Sequence, residues 1–315
     1  RIALLQGDVA RAKELASRAV VADPASAEAQ LLLGWSLWRA GEPEAARKAL
    51  DAALALDPRG ALVRVRLGPF LLEQKDADAA LKQLEQATAA DANLAEAQLW
   101  LGKALLAKGE TGAAIDRFRR AAQLAPSDPA YSVQLGEALE RSGQVGEALA
   151  AYRAAAAAAP ADPEGPEHLG RLLAAQGDCK QAIPQFRKAL EAAPGRTAAR
   201  IDLAGCLART GKAQDAVALY QQVLRSDPAR VEVLWLIART VNEAQGLRAA
   251  VPWFEKAAAA DPGNPMPHRY LGFWHKERGQ KALAVQELRK YLALRPDADD
   301  RKDVEREIED LGGTP

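Results

Sequence analysis

Residues 95–128 read AEAQLWLGKALLAKGETGAAIDRFRRAAQLAPSD, and the pattern of this stretch recurs along the chain at a fixed interval of 34 residues. Its twentieth residue marks the clearest column, because an alanine occupies that place in every copy. The alanines of this column are Ala12, Ala46, Ala80, Ala114, Ala148, Ala182, Ala216, Ala250 and Ala284. Self-similarity at such a period is typical of proteins built by stacking one small structural unit.

Other columns keep the same register. The eighth residue of each copy is small and follows a leucine or isoleucine, as in Leu101-Gly102. A glycine such as Gly109 follows seven residues later, and a proline such as Pro126 closes most copies. Glycine tolerates the left-handed backbone that ends a helix, and proline cannot continue a helix interior. Each copy is therefore predicted to form two helices.

These columns resemble the tetratricopeptide repeat family over nearly the whole chain. The resemblance implies an all-α fold, a right-handed α-α superhelix of stacked antiparallel helix pairs with a concave inner wall. A partial repeat covers 1–26, a capping helix 299–311 and a tail 312–315. The eight full repeats are 27–60, 61–94, 95–128, 129–162, 163–196, 197–230, 231–264 and 265–298. Because Arg1 falls in the middle of an expected helix and Leu4 in one of its columns, we expect a chain cut from a longer protein.

Composition and motifs argue against several functional classes. Forty-two Lys plus Arg residues balance forty-two Asp plus Glu residues, so no global field favours nucleic acid. The sequence contains no run of eighteen apolar residues, so it does not predict membrane insertion. It does not distinguish a cytoplasmic from a periplasmic compartment. Phosphate-binding glycine loops, nucleophile elbows and zinc-protease motifs do not occur. The histidines are His168, His268 and His275, and no Cys or carboxylate completes a metal site of usual spacing with the last two. We expect a non-enzymatic chain without metal or cofactor.

The two cysteines allow two interpretations. Cys179 lies near the turn of its repeat and Cys206 on the first helix of the next repeat. Packing as two small apolar residues is the simpler interpretation. A disulfide would require Cα atoms within about 7 Å.

By the family resemblance, the inner wall is lined by the first helix of each repeat, at its second, fifth, ninth, twelfth and thirteenth positions. The N-terminal candidates at these positions are mostly large and apolar, and such residues suggest a bound partner. They are Leu31, Trp35, Trp38, Leu62, Val65, Leu72, Leu99 and Leu106, together with Lys103. The alternative is that Trp35 and Trp38 pack against the partial first repeat or a neighbouring domain.

The C-terminal candidates are more polar. Four arginines from successive repeats could grip carboxylates or phosphates through forked contacts. They are Arg141, Arg171, Arg209 and Arg239. Glutamates of the same wall make internal salt bridging the default interpretation. Two mixed aromatic and polar spots complete the set: Trp235 with Arg239 and Asn242, and Arg269 with Phe273 and Lys276.

The residues at the ninth position of the repeats argue against one class of partner, the C-terminal tails of chaperones. Family members that grip the C-terminal tail of chaperones carry asparagine there. This chain has Trp35, Pro69, Lys103, Glu137, Arg171, Gly205, Arg239 and Phe273. We therefore do not expect a chaperone tail as partner.

Repeat 61–94 departs most from the pattern. Pro69 lies inside its first helix, Lys75 replaces the turn glycine and Ala92 replaces the closing proline. An interior proline removes a hydrogen bond and clashes with the preceding turn, so we expect a kink.

Two functional hypotheses remain. In the first, the chain is an interaction scaffold whose inner wall binds a helical or extended segment of another protein, within a bacterial multiprotein assembly. In the second, the chain is the regulatory or substrate-selecting arm of a larger enzyme, as in some glycosyltransferases. We favour the first.

Overall fold

The computed structural model describes residues 7–314, and within that range the chain forms eighteen α-helices and no strand. Helices and short turns alternate throughout. The helices are α1 (Val9–Ala22), α2 (Ala27–Arg39), α3 (Pro43–Leu56), α4 (Ala61–Glu73), α5 (Ala77–Ala90), α6 (Ala95–Ala107), α7 (Thr111–Leu124), α8 (Pro129–Arg141), α9 (Val145–Ala158), α10 (Glu164–Ala175), α11 (Cys179–Ala192), α12 (Thr197–Arg209), α13 (Ala213–Ser226), α14 (Glu232–Gln245), α15 (Leu247–Ala260), α16 (Pro265–Glu277), α17 (Lys281–Leu294) and α18 (Arg301–Asp310). The all-α fold of stacked helix pairs predicted from the repeat is confirmed. The helix expected around Arg1 and Leu4 lies outside the described residues.

The chain divides into two compact bodies, residues 1–159 and residues 160–315. In each body every first helix packs on the second helix of its own repeat, and that second helix packs on the first helix of the following repeat of the same body. First helices of neighbouring repeats also touch. In the N-terminal body α4 contacts α2 and α6, and in the C-terminal body α12 contacts α10 and α14. A face made of first helices is therefore continuous over α2, α4 and α6 in one body and over α10, α12 and α14 in the other.

Close approach at the eighth position explains why a small residue recurs there. A Cβ atom built on Gly102 would lie 2.6 Å from the ring of Phe118, and one built on Gly170 would lie 2.8 Å from Phe186. Phe118 and Phe186 have no exposed surface. The large residue at the twenty-fourth position thus fills the space that glycine leaves, and the two helices of a repeat pack at short distance.

The turns within the repeats use left-handed backbone. Gly109 has φ of 81°, and Lys75, which replaces glycine in repeat 61–94, has φ of 60°. Lys75 is the one non-glycine residue with positive φ in residues 7–314. The first helix of that repeat, α4, continues through Pro69 from Ala61 to Glu73.

The predicted capping helix is α18. Its Val304 and Ile308 are buried in one cluster with Leu288 and Tyr291 of α17. The hydroxyl of Tyr291 donates a 2.6 Å hydrogen bond to Asp300, which precedes α18. An apolar stripe on one side of a short polar helix therefore covers the open end of the last repeat.

Candidate functional site

The C-terminal body contains an open cavity of about 450 Å³ on its first-helix face. Three arginines and one aspartate supply its charged groups, so we name it the arginine cavity. Its lining residues are Arg171, Ala174, Ala175, Ile201, Asp202, Gly205, Cys206, Arg209, Tyr220, Leu236 and Arg239.

Three successive repeats build this cavity. Arg171 belongs to α10, Arg209 to α12 and Arg239 to α14, and each holds the ninth or thirteenth position of its repeat. Because α12 contacts both α10 and α14, these positions come to one place without any long loop. The wall of the cavity is thus rigid helix.

Arg209 is held by contacts to the preceding repeat. Its Nη2 donates a 2.7 Å hydrogen bond to the carbonyl oxygen of Ala174, near the C-terminus of α10. The same nitrogen lies 2.7 Å from Sγ of Cys179. These contacts fix the guanidinium at the cavity rim, so less conformational entropy would be lost when it binds an anion.

The three arginines differ in their distance from the nearest carboxylate. Within residues 7–314 no Asp or Glu oxygen lies within 4.0 Å of the Arg171 or Arg209 guanidinium. Arg239 lies 3.6 Å from Glu243, and its Nε is buried without a hydrogen-bond partner in the described chain. Nη2 of Arg171 lies 3.2 Å from Nδ1 of His168.

Several glutamates of the same face pair with arginines outside the cavity. Arg196 contacts Glu167 at 2.7 Å and Glu164 at 3.6 Å, and Glu232 lies 3.6 Å from Arg230. Internal salt bridging, the default interpretation of the sequence, therefore describes these glutamates. It also describes Arg239, which pairs with Glu243. Within residues 7–314 neither Arg171 nor Arg209 forms such a pair, so the interpretation is wrong for these two arginines.

Asp202 and Tyr220 line the cavity but were not among the candidates taken from the sequence. Burial raises the pKa of the Asp202 carboxyl, and the nearby Arg171 opposes this shift. Burial also raises the pKa of Tyr220 to about 12, so its hydroxyl stays protonated at neutral pH. Asp202 holds the sixth position and Tyr220 the twenty-fourth, a core column, so neither was on the expected list of wall positions.

A disulfide lies beside the cavity. Cys179 at the start of α11 is bonded to Cys206 of α12, with Cα atoms 5.0 Å apart. Both residues are buried. The interpretation as two unbonded packing residues is therefore wrong, and the bond ties together the two repeats that carry Arg171 and Arg209.

The two tryptophans of the N-terminal body pack on the following repeat. Nε1 of Trp35 donates a 3.1 Å hydrogen bond to the carbonyl oxygen of Arg66, and Nε1 of Trp38 donates a 2.7 Å bond to Glu73. The rings of Trp38 and Phe70 meet edge to face, with centroids 6.0 Å apart. Trp35 and Trp38 are half-buried in this contact. They therefore help to join two repeats, an arrangement that neither interpretation of the sequence included.

The other N-terminal candidates differ in exposure. Val65 is fully buried beside Ala87 and Ala97 and cannot touch a partner, so its assignment to the inner wall is wrong. Leu62 is 51% exposed, whereas Leu31 and Leu99 are half-buried.

Lys103 and Arg141 are the cationic candidates of the N-terminal body. Lys103 lies over the ring of Trp100, with Nζ 4.7 Å from the centroid, and burial lowers its pKa. Arg141 is exposed at the end of α8.

The two mixed aromatic and polar spots of the C-terminal body are only partly exposed, because their aromatic rings pack against neighbouring residues. Trp235 packs against Phe254 and Tyr270, with ring centroids 5.9 Å and 5.8 Å away. Asn242 is half-buried on the same helix. Phe273 is half-buried under the guanidinium of Arg269, which also pairs with Asp300 at 2.7 Å.

Residues 7–314 hold no group of three His, Cys, Asp or Glu side chains placed to bind a metal ion. Over the same residues, every helix is too short or too polar to cross a bilayer.

Comparisons with known proteins agree with the fold. Three family models described as tetratricopeptide repeat match residues 1–61, 32–161 and 173–240. No curated protein matches the chain. Among solved structures, pilF of Pseudomonas aeruginosa is similar at 24% identity, covering 61% of this chain and 88% of that one with a TM-score of 0.52.

Two further structures are similar over more of the chain. The C-terminal part of a repeat-containing protein from Cytophaga hutchinsonii covers 87% of this chain and 98% of its own, at 18% identity and a TM-score of 0.53. The Cut9–Hcn1 structure covers 96% of this chain and 52% of its own, at 17% identity and a TM-score of 0.53. At these identities the likeness concerns the fold. With the repeat columns, the helix pairs and the family models in agreement, the chain belongs to the tetratricopeptide repeat family.

Proposed function

We propose that this chain binds a helical or extended segment of a partner protein on the first-helix face of its C-terminal body, in the arginine cavity. Tetratricopeptide repeats support a role as a protein–protein interaction scaffold, and the fold is typically a non-catalytic module. The proposal adds the place of binding to that general role.

One observation carries the proposal. Three successive first helices surround an open space of about 450 Å³ and direct polar groups into it. Specific binding sites are usually concave, largely pre-formed and lined by apolar groups with a few convergent polar ones. Ala174, Ile201 and Leu236 supply the apolar lining here, and the arginines supply the polar groups.

Gly205 keeps the floor of the cavity open. A Cβ atom built on this residue would meet only the hydroxyl of Tyr220, at 3.5 Å. An alanine therefore fits at this position, whereas a large side chain would extend into the empty space. The position thus offers a steric test that does not depend on charge.

The experiment is affinity capture from a lysate of the source cell with three forms of the immobilised chain. We expect wild type and Gly205→Ala to recover the same partner, and Gly205→Trp to lose it. Because alanine favours a helix interior over glycine by about 1 kcal/mol, the alanine form is a well-folded matched control. Equal recovery of the partner by Gly205→Trp, with circular dichroism unchanged, would contradict binding in this cavity.

A further inference from the structure

The chemistry of the cavity specifies the partner segment more closely, and this inference rests on the proposed function. We infer that the arginine cavity binds an acidic peptide segment, in which a carboxylate contacts the arginines and a neighbouring aliphatic side chain packs on Ile201 and Leu236.

The side chains that line the cavity carry a net positive charge, although Glu243 lies 3.6 Å from Arg239. Its lining holds three arginines against one aspartate, although the whole chain is neutral, with forty-two cationic and forty-two acidic residues. Burial raises the pKa of Asp202, which makes this one opposing carboxylate easier to protonate. A concave site lined by one sign of charge attracts ligands of the opposite sign.

The arginines retain unused donors. Arg171 and Arg209 have no carboxylate within 4.0 Å in residues 7–314. Nε of Arg239 is buried and forms no hydrogen bond there, although Glu243 lies 3.6 Å from it. A guanidinium presents several N–H groups in a planar fork that matches both oxygens of a carboxylate. A ligand carboxylate would therefore satisfy donors that the chain leaves unused.

The apolar part of the wall favours a peptide over inorganic phosphate or nucleic acid. Ala174, Ala175, Ile201 and Leu236 share the cavity with the arginines, and no lysine lines it. Backbone phosphates are usually bound by extended stripes of Lys and Arg, which three clustered arginines do not make. Aliphatic lining next to a carboxylate site matches a peptide that carries Glu or Asp beside Leu, Ile or Val.

The test is selection of a phage-displayed random-peptide library on the folded chain, followed by calorimetry of the selected peptides. We expect enrichment of Asp or Glu next to an aliphatic residue. Replacing that Glu by Gln in the selected peptide should weaken its binding at least about tenfold, the loss expected for a hydrogen bond between charged groups.

Two double variants test whether the selected peptide binds in the arginine cavity. The double variant Arg171→Gln/Arg239→Gln should bind the acidic peptide at least about tenfold more weakly, since each substitution removes a charge-assisted contact. Arg187→Gln/Arg225→Gln removes two exposed arginines of second helices and should leave affinity unchanged. Raising the salt concentration should weaken binding of the Glu peptide and not of its Gln counterpart.

Three outcomes would overturn the inference: no peptide selected, selected peptides without acidic residues, or equal affinity for the Glu and Gln forms. Equal effects of the two double variants would also contradict it. Loss of partner capture by Gly205→Trp would still support the proposed function in each of these cases, so the two claims fail separately.

Discussion

Nη2 of Arg209 lies 2.7 Å from Sγ of Cys179, the residue that a disulfide joins to Cys206 three positions before Arg209 on α12. The same nitrogen donates a hydrogen bond to Ala174 of the preceding repeat. One cross-link and one arginine therefore fix the junction between repeats 163–196 and 197–230. This junction forms one side of the arginine cavity, so the stability of the repeat stack and the shape of the site depend on the same contacts.

Reduction of the disulfide should lower stability. The bond joins residues 27 apart in sequence. Closing a loop of this length stabilises a folded chain by about 3–4 kcal/mol in the chain-entropy model. Denaturant unfolding of the C-terminal repeats should therefore shift to lower concentration with a reductant. The variant Cys179→Ala/Cys206→Ala should show no such response, and an equal response of both proteins would count against the bond.

Gly102 should not tolerate a side chain. Its Cβ would lie 2.6 Å from the buried ring of Phe118, so Gly102→Ala forces the two helices of the repeat apart. We expect a loss of about 1–3 kcal/mol, as for other overpacked cores. Gly112→Ala is the matched control, because nothing lies within 4 Å of its Cβ. If urea unfolding gave the same midpoint for both variants, close helix packing would not be the reason for the glycine column.

Lys75→Gly should stabilise the turn of repeat 61–94. Lys75 has φ of 60°, a left-handed conformation that costs a non-glycine residue about 1–2 kcal/mol. Glycine removes this cost but gains freedom in the unfolded chain, so we expect a net gain of about 0.5–1 kcal/mol. The reverse change, Gly109→Lys at φ of 81°, should destabilise. Thermal unfolding of the two variants checks both signs.

Asp202→Asn should stabilise the chain at neutral pH and not in acid. Burial raises the pKa of Asp202 in the folded state above its unfolded value. The contribution of Asp202 to the free energy of unfolding is therefore fully present below the pKa of the unfolded state, about 3.9, where the carboxyl is protonated. This contribution is lost as the pH rises through the pKa of the folded state. Asparagine removes the ionised form, so the variant should melt higher than wild type at pH 7 and equally below about pH 4. A higher melting temperature at both values would contradict the assignment of the effect to ionisation.

The fold could be predicted from the sequence because every repeat has the same length and the same small residues. Gly102 and Phe118 stand in columns that recur in the other repeats, and columns in register identify helix pairs without any distance information. The exposure of a side chain could not be predicted from its column alone. Val65 holds a position expected on the wall, but it is buried beside Ala87 and Ala97, because its surroundings depend on the neighbouring helices.

The site could be predicted only in part. Arg171, Arg209 and Arg239 were found from their repeat positions, and the structure places them around one cavity. Asp202 was missed because its position was not expected on the wall. The bond between Cys179 and Cys206 could not be assigned, since no spacing in the sequence fixes the 5.0 Å between their Cα atoms.

Photocrosslinking from inside the cavity tests the central claim most directly. A benzophenone amino acid replaces either Ile201, which lines the cavity, or Gln222, which is exposed on α13. After irradiation in the source cell, the Ile201 form should yield a covalent adduct with a partner protein, and the adduct should map to an acidic segment. The Gln222 form should not yield this adduct. An adduct from Gln222 and none from Ile201 would contradict binding in the arginine cavity.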